Sequence, residues 1–311
     1  MEQSELKEPL AIAAASGNDA PAPLASAARP AAGFLTPQAC PTCGTAPATN
    51  GGAAATPSYV YAVGRIEARF PRPSVEKEFA QAVGRDKTSG LTDRQALHSV
   101  LSKPENRYLI RQLCWVMTIE GLETYILVPR DPADVSLLVE ALRPTPQPWD
   151  LDCVIGVRGP IALAEMCNGL MVPIVAFDQI YSFDRDALIK AIPRPEKTPA
   201  KEFTPAAEEL FDRIMQMADN AGATDEHRAL NYLAVRYPAI YANAADAFGR
   251  NASLTAVNMQ TSPLSGTRKV TDVIFSYTNR NTDVAEKFFC RVDVTEEFPF
   301  LVTKLSPYYD R

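Results

Sequence analysis

The residues best suited to chemistry are Cys40-Pro41-Thr42-Cys43-Gly44. A Cys-x-x-Cys turn followed by glycine is half of a thiolate metal site. The turn aims both sulfurs at one point, and the small neighbours let backbone N–H groups approach them. Pro41 pre-sets one backbone angle of that turn. A redox dithiol has the same spacing, but it normally opens a helix that follows a strand, and these flanks are absent. Two idle thiols in an unstructured arm are the third reading. Zinc is the reading favoured here, and a structural zinc needs two more ligands.

Four cysteines remain. Cys153 alternates with Leu151, Ile155 and Val157, and Cys290 with Phe288, Val292 and Val294. Both patterns predict core thiols that act as small hydrophobes. Cys167 instead lies in the loop Met166-Cys167-Asn168-Gly169, and Cys114 opens the strand-like run CWVMTIE. The preferred metal set is therefore Cys40, Cys43, Cys114 and Cys167. A metal on that set would staple the N-terminal arm to the folded body.

Other chemistry is sparse. The chain has two histidines, which excludes mechanisms built on several histidine ligands. His98 sits near the end of an amphipathic helix, and His227 lies in Asp225-Glu226-His227-Arg228, the first turn of another. A histidine in such a place is more often a surface residue than a catalyst. No nucleophile elbow, P-loop, dinucleotide fingerprint or His-Glu-x-x-His is present. Glu120, Glu123, Asp293, Glu296 and Glu297 read as turn and strand-end carboxylates or as paired acids. The paired Tyr308 and Tyr309 predict a tail docked on its own domain, a twin subunit or a partner.

The elements that must position these residues begin after residue 58. Residues 1–58 are rich in Ala, Pro, Ser, Thr and Gly, with Phe34 as the one aromatic. Such composition buries too little apolar surface to offset its ordering entropy, so 1–38 reads as a disordered arm and 39–58 as the half-site and linker. From Tyr59 the alternation YVYAVGRIEARF predicts a strand. Helices are expected at about 74–84 and 92–102, capped by Ser74 and by a Thr92/Gln95 capping box. A hairpin is expected about Gly121 and a helix over 132–142 behind Asp131-Pro132. Two strands, DLDCVIGV and PIVAFDQIYSF, flank a loop, and Asp184 caps a short helix ended by Pro193. The proline-rich stretch 193–204 is the best internal boundary. Beyond it, helices are expected from Thr204 to Gly222, from Thr224 to Arg236, and over 239–250. Four short strands then form an antiparallel meander. The predicted class is α+β, one composite body over 59–311.

The chain has 311 residues, 22% of them charged, and a net charge of −6. That balance argues against nucleic acid or an anionic membrane as partner. No apolar run approaches the ~20 residues of a membrane span, and the acidic N-terminus lacks the basic start of a secretory signal. The expected location is the cytoplasm, with thiols reduced.

Several long stretches carry a resemblance: RQLCWV, IEGLETYILVPRDPAD, EMCNGLMVPI, DRIMQMADNAGATDEHRALNYLAVRYPAIY and DVTEEFPFLVTKLSPYYDR. From about Cys40 to Arg311 the chain resembles the C-terminal domain of cyanobactin maturation proteases of the PatA and PatG type, a domain of unknown function. In that family it follows a subtilisin-like protease, and the expectation here is the accessory domain standing alone. The resemblance implies maturation of a ribosomally made, post-translationally modified peptide, with a cysteine-bound structural Zn²⁺ and a homodimer. By position its zinc cysteines fall on Cys40, Cys43, Cys114 and Cys167, and Cys153 and Cys290 lie outside the set. The expectation is thus a non-catalytic, zinc-stapled accessory module that dimerises or recruits precursor peptide or a subtilisin-like maturation protease. The alternative is a peptide-modifying enzyme with an Arg/Glu/His site around Glu226 and His227.

Overall fold

A computed structural model describes residues 57–84, 90–192 and 200–309. Cys40, Cys43 and the predicted arm lie outside the described residues.

Strand β1 (Tyr59–Arg69) leads to helices α1 (Pro73–Gly84) and α2 (Asp93–Leu101), a 3-10 turn (Pro104–Asn106) and α3 (Arg107–Gln112). The hairpin β2 (Cys114–Ile119) and β3 (Leu122–Pro129) turns at Glu120 and Gly121, both at positive φ. A 3-10 turn (Pro132–Asp134) enters α4 (Val135–Leu142), followed by β4 (Asp150–Ile161) and β5 (Pro173–Asp184). These strands close a barrel in the order β1-β2-β3-β5-β4, with β3 and β5 parallel and every other neighbour antiparallel. That strand order, with a helix between β3 and β4, is the arrangement of an OB-type barrel. Alternate residues of all five strands face one interior: Val60 and Ala62, Trp115 and Met117, Tyr125 and Leu127, Val154, Val175 and Phe177. Helix α4 packs Leu138 and Leu142 onto the same core.

The second half contains α5 (Arg185–Ala191), α6 (Ala200–Met215), α7 (Asp225–Arg236) and α8 (Ala239–Gly249). They are followed by β6 (Ala252–Thr261), β7 (Val270–Asn279), β8 (Ala285–Asp293) and β9 (Phe300–Pro307), an antiparallel sheet in sequence order. The helices and one sheet face share a core with Leu210, Leu230, Phe275 and Val292 at its centre. A fully buried aliphatic or aromatic side chain of this kind contributes about 1.5–3 kcal/mol. A smaller cluster of Tyr61, Val63, Cys153 and Ile155, with Tyr232 and Val235 against it, joins the outer barrel wall to α7.

The mixed α+β class and the C-terminal meander are as expected, and several local signals hold. Thr92 and Gln95 form the capping box, and Asp184 and Thr224 accept from Ala187 N–H and His227 N–H. Other readings need correction. Ser74 lies inside the first turn of α1, because the helix opens at Pro73. Gly159, Pro160 and Ile161, read as loop, lengthen β4, and α3 was not anticipated. Helix α6 opens at Ala200 rather than Thr204, with Pro205 inside it. The missing ladder bond is tolerated where Phe203, Ala206 and Ala207 bury their side chains. The same helix stops at Met215, well short of Gly222. Gly222 serves another purpose: its carbonyl accepts from Tyr61 N–H at 2.9 Å, and a Cβ there would lie 2.3 Å from Tyr61 O. Among the described residues no helix is long and apolar enough to cross a membrane.

Candidate functional site

Cys114 is the first residue of β2, paired with Arg69 of β1. Cys167 ends the 3-10 turn Ala164–Met166 in the β4–β5 connection. Asn168 and Gly169 follow at φ 46 and 90, a left-handed reversal closed by Gly169 N–H to Ala164 O (2.7 Å) and Leu170 N–H to Cys167 O (2.9 Å). Non-glycine residues seldom take this conformation, and Asn is among the few that do so readily. The reversal folds Cys167 back onto the barrel wall. The two cysteines, 53 residues apart in sequence, meet with their Cα atoms 5.6 Å apart and are joined as a disulfide. Both are buried in a small apolar cluster with Val116, Ile126 and Ala162.

The expectation of reduced thiols therefore differs from the structure at this pair. The sequence placed both residues in one metal set, and the fold does bring them together. Among the described residues no three His, Cys, Asp or Glu side chains gather as metal ligands. As thiolates the pair would supply two of the four sulfurs of a tetrahedral zinc site. The apolar shell suits a closed structural site, and the other two expected ligands lie outside the described residues.

Cys153 and Cys290 are fully buried free thiols. Burial pushes each up to about 12, so neither is a nucleophile near neutral pH. Their assignment to core positions agrees with the structure.

Two neighbours of the alternative Glu226/His227 site, Arg228 and Asn220, are occupied in packing, whereas Nδ1 of His227 is buried with no hydrogen-bond partner among the described residues. Arg228, 2% exposed, donates to the carbonyls of Val294 (2.7 Å), Glu296 and Glu297 (3.3 Å) and lies over the Tyr59 ring. It thereby fixes the β8–β9 connection to α7. His227 is half-buried, and desolvation lowers its pKa. Asn220 is buried and bonded to Asn231, which also donates to Tyr61 O. Glu123 pairs with Arg69, and Asp293 pairs with Arg268 while accepting from Thr295 N–H. Tyr308 docks on its own sheet, edge-on to Phe289 at 5.6 Å, whereas Tyr309 is exposed.

Two acidic positions, Asp152 and Asp178, escaped sequence reasoning. Asp152, 2% exposed, accepts from Ile66 N–H (2.9 Å) and Ser182 Oγ (2.6 Å), and burial raises it to about 6. Glu297 meets Asp178 and Arg130. Burial, then the hydrogen bond and charge of Asp178, raise Glu297 to about 7. At Asp178 burial acts upward, but Glu297 and Arg130 outweigh it and hold the group below its ordinary value. No local pattern marks a contact between positions 178 and 297.

A cavity of about 660 Å³ adjoins Cys114 at the barrel rim. Its walls come from α3, the start of β2, the end of β3, α4 and Met166 of the β4–β5 connection.

With this geometry in place, residues 197–308 match the family model described as PatG C-terminal. This match supports a PatG C-terminal-type domain over those residues. A solved structure titled "PatG Domain of Unknown Function" has a similar fold, with a TM-score of 0.67 at 20% identity, over 81% of this chain and 98% of that one. That likeness takes in the barrel as well as the matched C-terminal residues. No curated protein matches the sequence.

Proposed function

We propose that this PatG C-terminal-type protein is a non-catalytic, zinc-stapled accessory module in the maturation of a ribosomally made, cyanobactin-like peptide. It works in the cytoplasm by homodimerising or by recruiting precursor peptide or a subtilisin-like maturation protease. The observation that carries the zinc part is the convergence of Cys114 and Cys167, two of the four expected ligands. Cys40 and Cys43 complete the set, and the metal fastens the N-terminal segment to the barrel rim. The packing duties of Arg228, Asn220 and the neighbouring carboxylates support a non-catalytic role.

Thiol titration of the reduced protein tests this reading. Four thiols that react only after chelation, beyond the two core thiols exposed by denaturant, are expected, because ligated thiolates are masked. Candidate precursor peptides incubated with the protein should keep their mass. A covalent change abolished by Glu226→Ala or His227→Ala would overturn the non-catalytic part.

A second reading rests on the bond itself: Cys114–Cys167 is a permanent structural disulfide. Intact-mass measurement after alkylation without reductant separates the two. The disulfide reading predicts a chain lighter by two hydrogens with two cysteines unalkylated after denaturation. The zinc reading predicts that all six are alkylated.

A further inference from the structure

The rim cavity opens where the barrel's own ladder stops. Pairing between β2 and β3 ends at Val116 with Ile126, although β2 begins two residues earlier and β3 runs three residues further. The same register would set Trp115 against Leu127 and Cys114 against Val128, and neither pair is formed. Those four residues and Pro129 line the cavity. Their other sides are held: Cys114 and Trp115 pair with Arg69 and Ala68 of β1, and Leu127 to Pro129 pair with β5. Alternate residues of a strand turn their N–H and C=O to each neighbour, so both lips of this seam hold ladder positions that no barrel strand fills. The cavity between them, about 660 Å³, falls within the ~300–1,000 Å³ typical of ligand pockets. Trp115, Leu127 and Leu138 form a buried apolar floor, and the indole is fixed by its N–H to Ile110 O at 2.9 Å. Arg72 and Arg111 on the wall are exposed and form no ion pair among the described residues. Glu165 is the one carboxylate beside them.

We infer that this seam takes a linear peptide in extended conformation, with a large apolar side chain in the cavity and an acidic residue beside it facing Arg72 or Arg111. Each part of that occupant answers one feature. The open ladder positions call for a main chain, the apolar floor for a bulky side chain, and the two unpaired arginines for a carboxylate. Strand addition of this kind draws affinity from main-chain bonds and specificity from pockets for alternate side chains. A fatty acid would satisfy the floor and the arginines but leave the ladder positions unfilled. OB-type barrels also take oligonucleotides on this face. Two arginines against one carboxylate, in a chain of net charge −6, do not make the basic track a phosphate backbone needs. The inference gives the recruiting part of the proposed function, on which it rests, a site and a class of sequence.

Fluorescence anisotropy of the full-length protein with a labelled probe peptide, Glu-Asp-Leu-Phe-Val-Glu, tests the site. Binding should saturate, and a probe with its acids changed to lysine should bind about tenfold more weakly. Val128→Asp and Arg111→Glu, both at exposed positions of the cavity, should each weaken the parent probe about tenfold. Arg107→Glu, exposed on the same helix but outside the cavity, should leave binding unchanged. Saturation with peptide should slow amide exchange in segments 113–116 and 126–128 about tenfold. No saturation below about 1 mM, equal binding by Val128→Asp, or binding without slowed exchange in those segments would overturn the inference. Displacement of the probe by laurate or oligothymidylate at lower concentration than by unlabelled peptide, or a dimer that dissociates in Val128→Asp, would give the cavity to another occupant and also overturn it. Candidate precursor peptides keep the two ideas apart. A precursor bound equally by the parent and Val128→Asp sinks this site and leaves recruitment standing, and probe binding at the seam with no precursor bound sinks recruitment alone.

Discussion

The contact of Glu297 with Asp178 makes a prediction that depends on pH. Glu297 lies in the β8–β9 connection with its side chain 14% exposed, and Arg130 donates to Asp178 at 2.7 Å and to Glu297 at 3.3 Å. Burial and then Asp178 raise Glu297 from 4.5 to about 7, with Arg130 opposing. The folded chain therefore holds this proton to higher pH than the unfolded chain does. Its contribution to stability is fullest below about pH 4.5, falls as pH rises through about 7, and then levels off. Unscreened, such a shift is worth about 3 kcal/mol. Solvent on the Asp178 and Arg130 side reduces this to about 1–2 kcal/mol. Glu297→Gln keeps a donor for Asp178 and cannot ionise. The variant should match the parent within about 0.5 kcal/mol at pH 5 and exceed it by about 1–2 kcal/mol at pH 8. Asp152 adds a similar fall between 3.8 and about 6, but it is common to both proteins and cancels. The low pKa of Asp178 acts below about pH 4, outside the window. Urea unfolding of both proteins at half-unit steps from pH 5 to 8 gives the difference directly. Parallel curves, or a variant less stable at pH 8, would refute the reasoning.

Arg228→Ala removes the donors to Val294 O and Glu296 O from a buried site and should cost about 2–4 kcal/mol. His227→Ala, whose ring makes no such contacts, should cost about 1 kcal/mol or less, and paired thermal melts separate the two. Gly222→Ala should destabilise by more than about 2 kcal/mol, because φ is +69° and the new Cβ would meet Tyr61 O at 2.3 Å. Gly169→Ala, also at positive φ but in open space, should cost about 1 kcal/mol in the same denaturant assay.

Much of the local structure was legible because its causes are local. Thr92 with Gln95, Asp184 and Thr224 cap helices through side chains within three residues of the N–H groups they satisfy. The C-terminal strands are joined by short turns, so their order follows the chain. The barrel was not legible, because its closure depends on pairings that no window contains: β3 beside β5 in parallel, and β1 between β2 and β4. Helix α6 starts upstream of Thr204 although Pro205 suits a first turn, because burial of Phe203 holds a further turn before it.

The site divides in the same way. Cys114 at a strand start and Cys167 in an Asn-Gly loop differ visibly from Cys153 and Cys290, whose alternation with apolar residues marks them as core. The packing role of Arg228 was not visible, since its carbonyl partners lie 66 to 69 residues away. The pairing of Asp178 with Glu297 was hidden for the same reason. Glu297 reads as a strand-end or paired acid with no partner named, and only the tertiary fold brings Asp178, from β5, against it.

On the proposed zinc reading, Cys114 and Cys167 belong to a four-thiolate site. Elemental analysis with native mass spectrometry of the reduced full-length protein tests it most directly. One zinc per chain is expected, falling to about one tenth or less in Cys40→Ser and in Cys167→Ser alike. Less than about half a zinc per chain in the parent, or full zinc retained in Cys167→Ser, would contradict it.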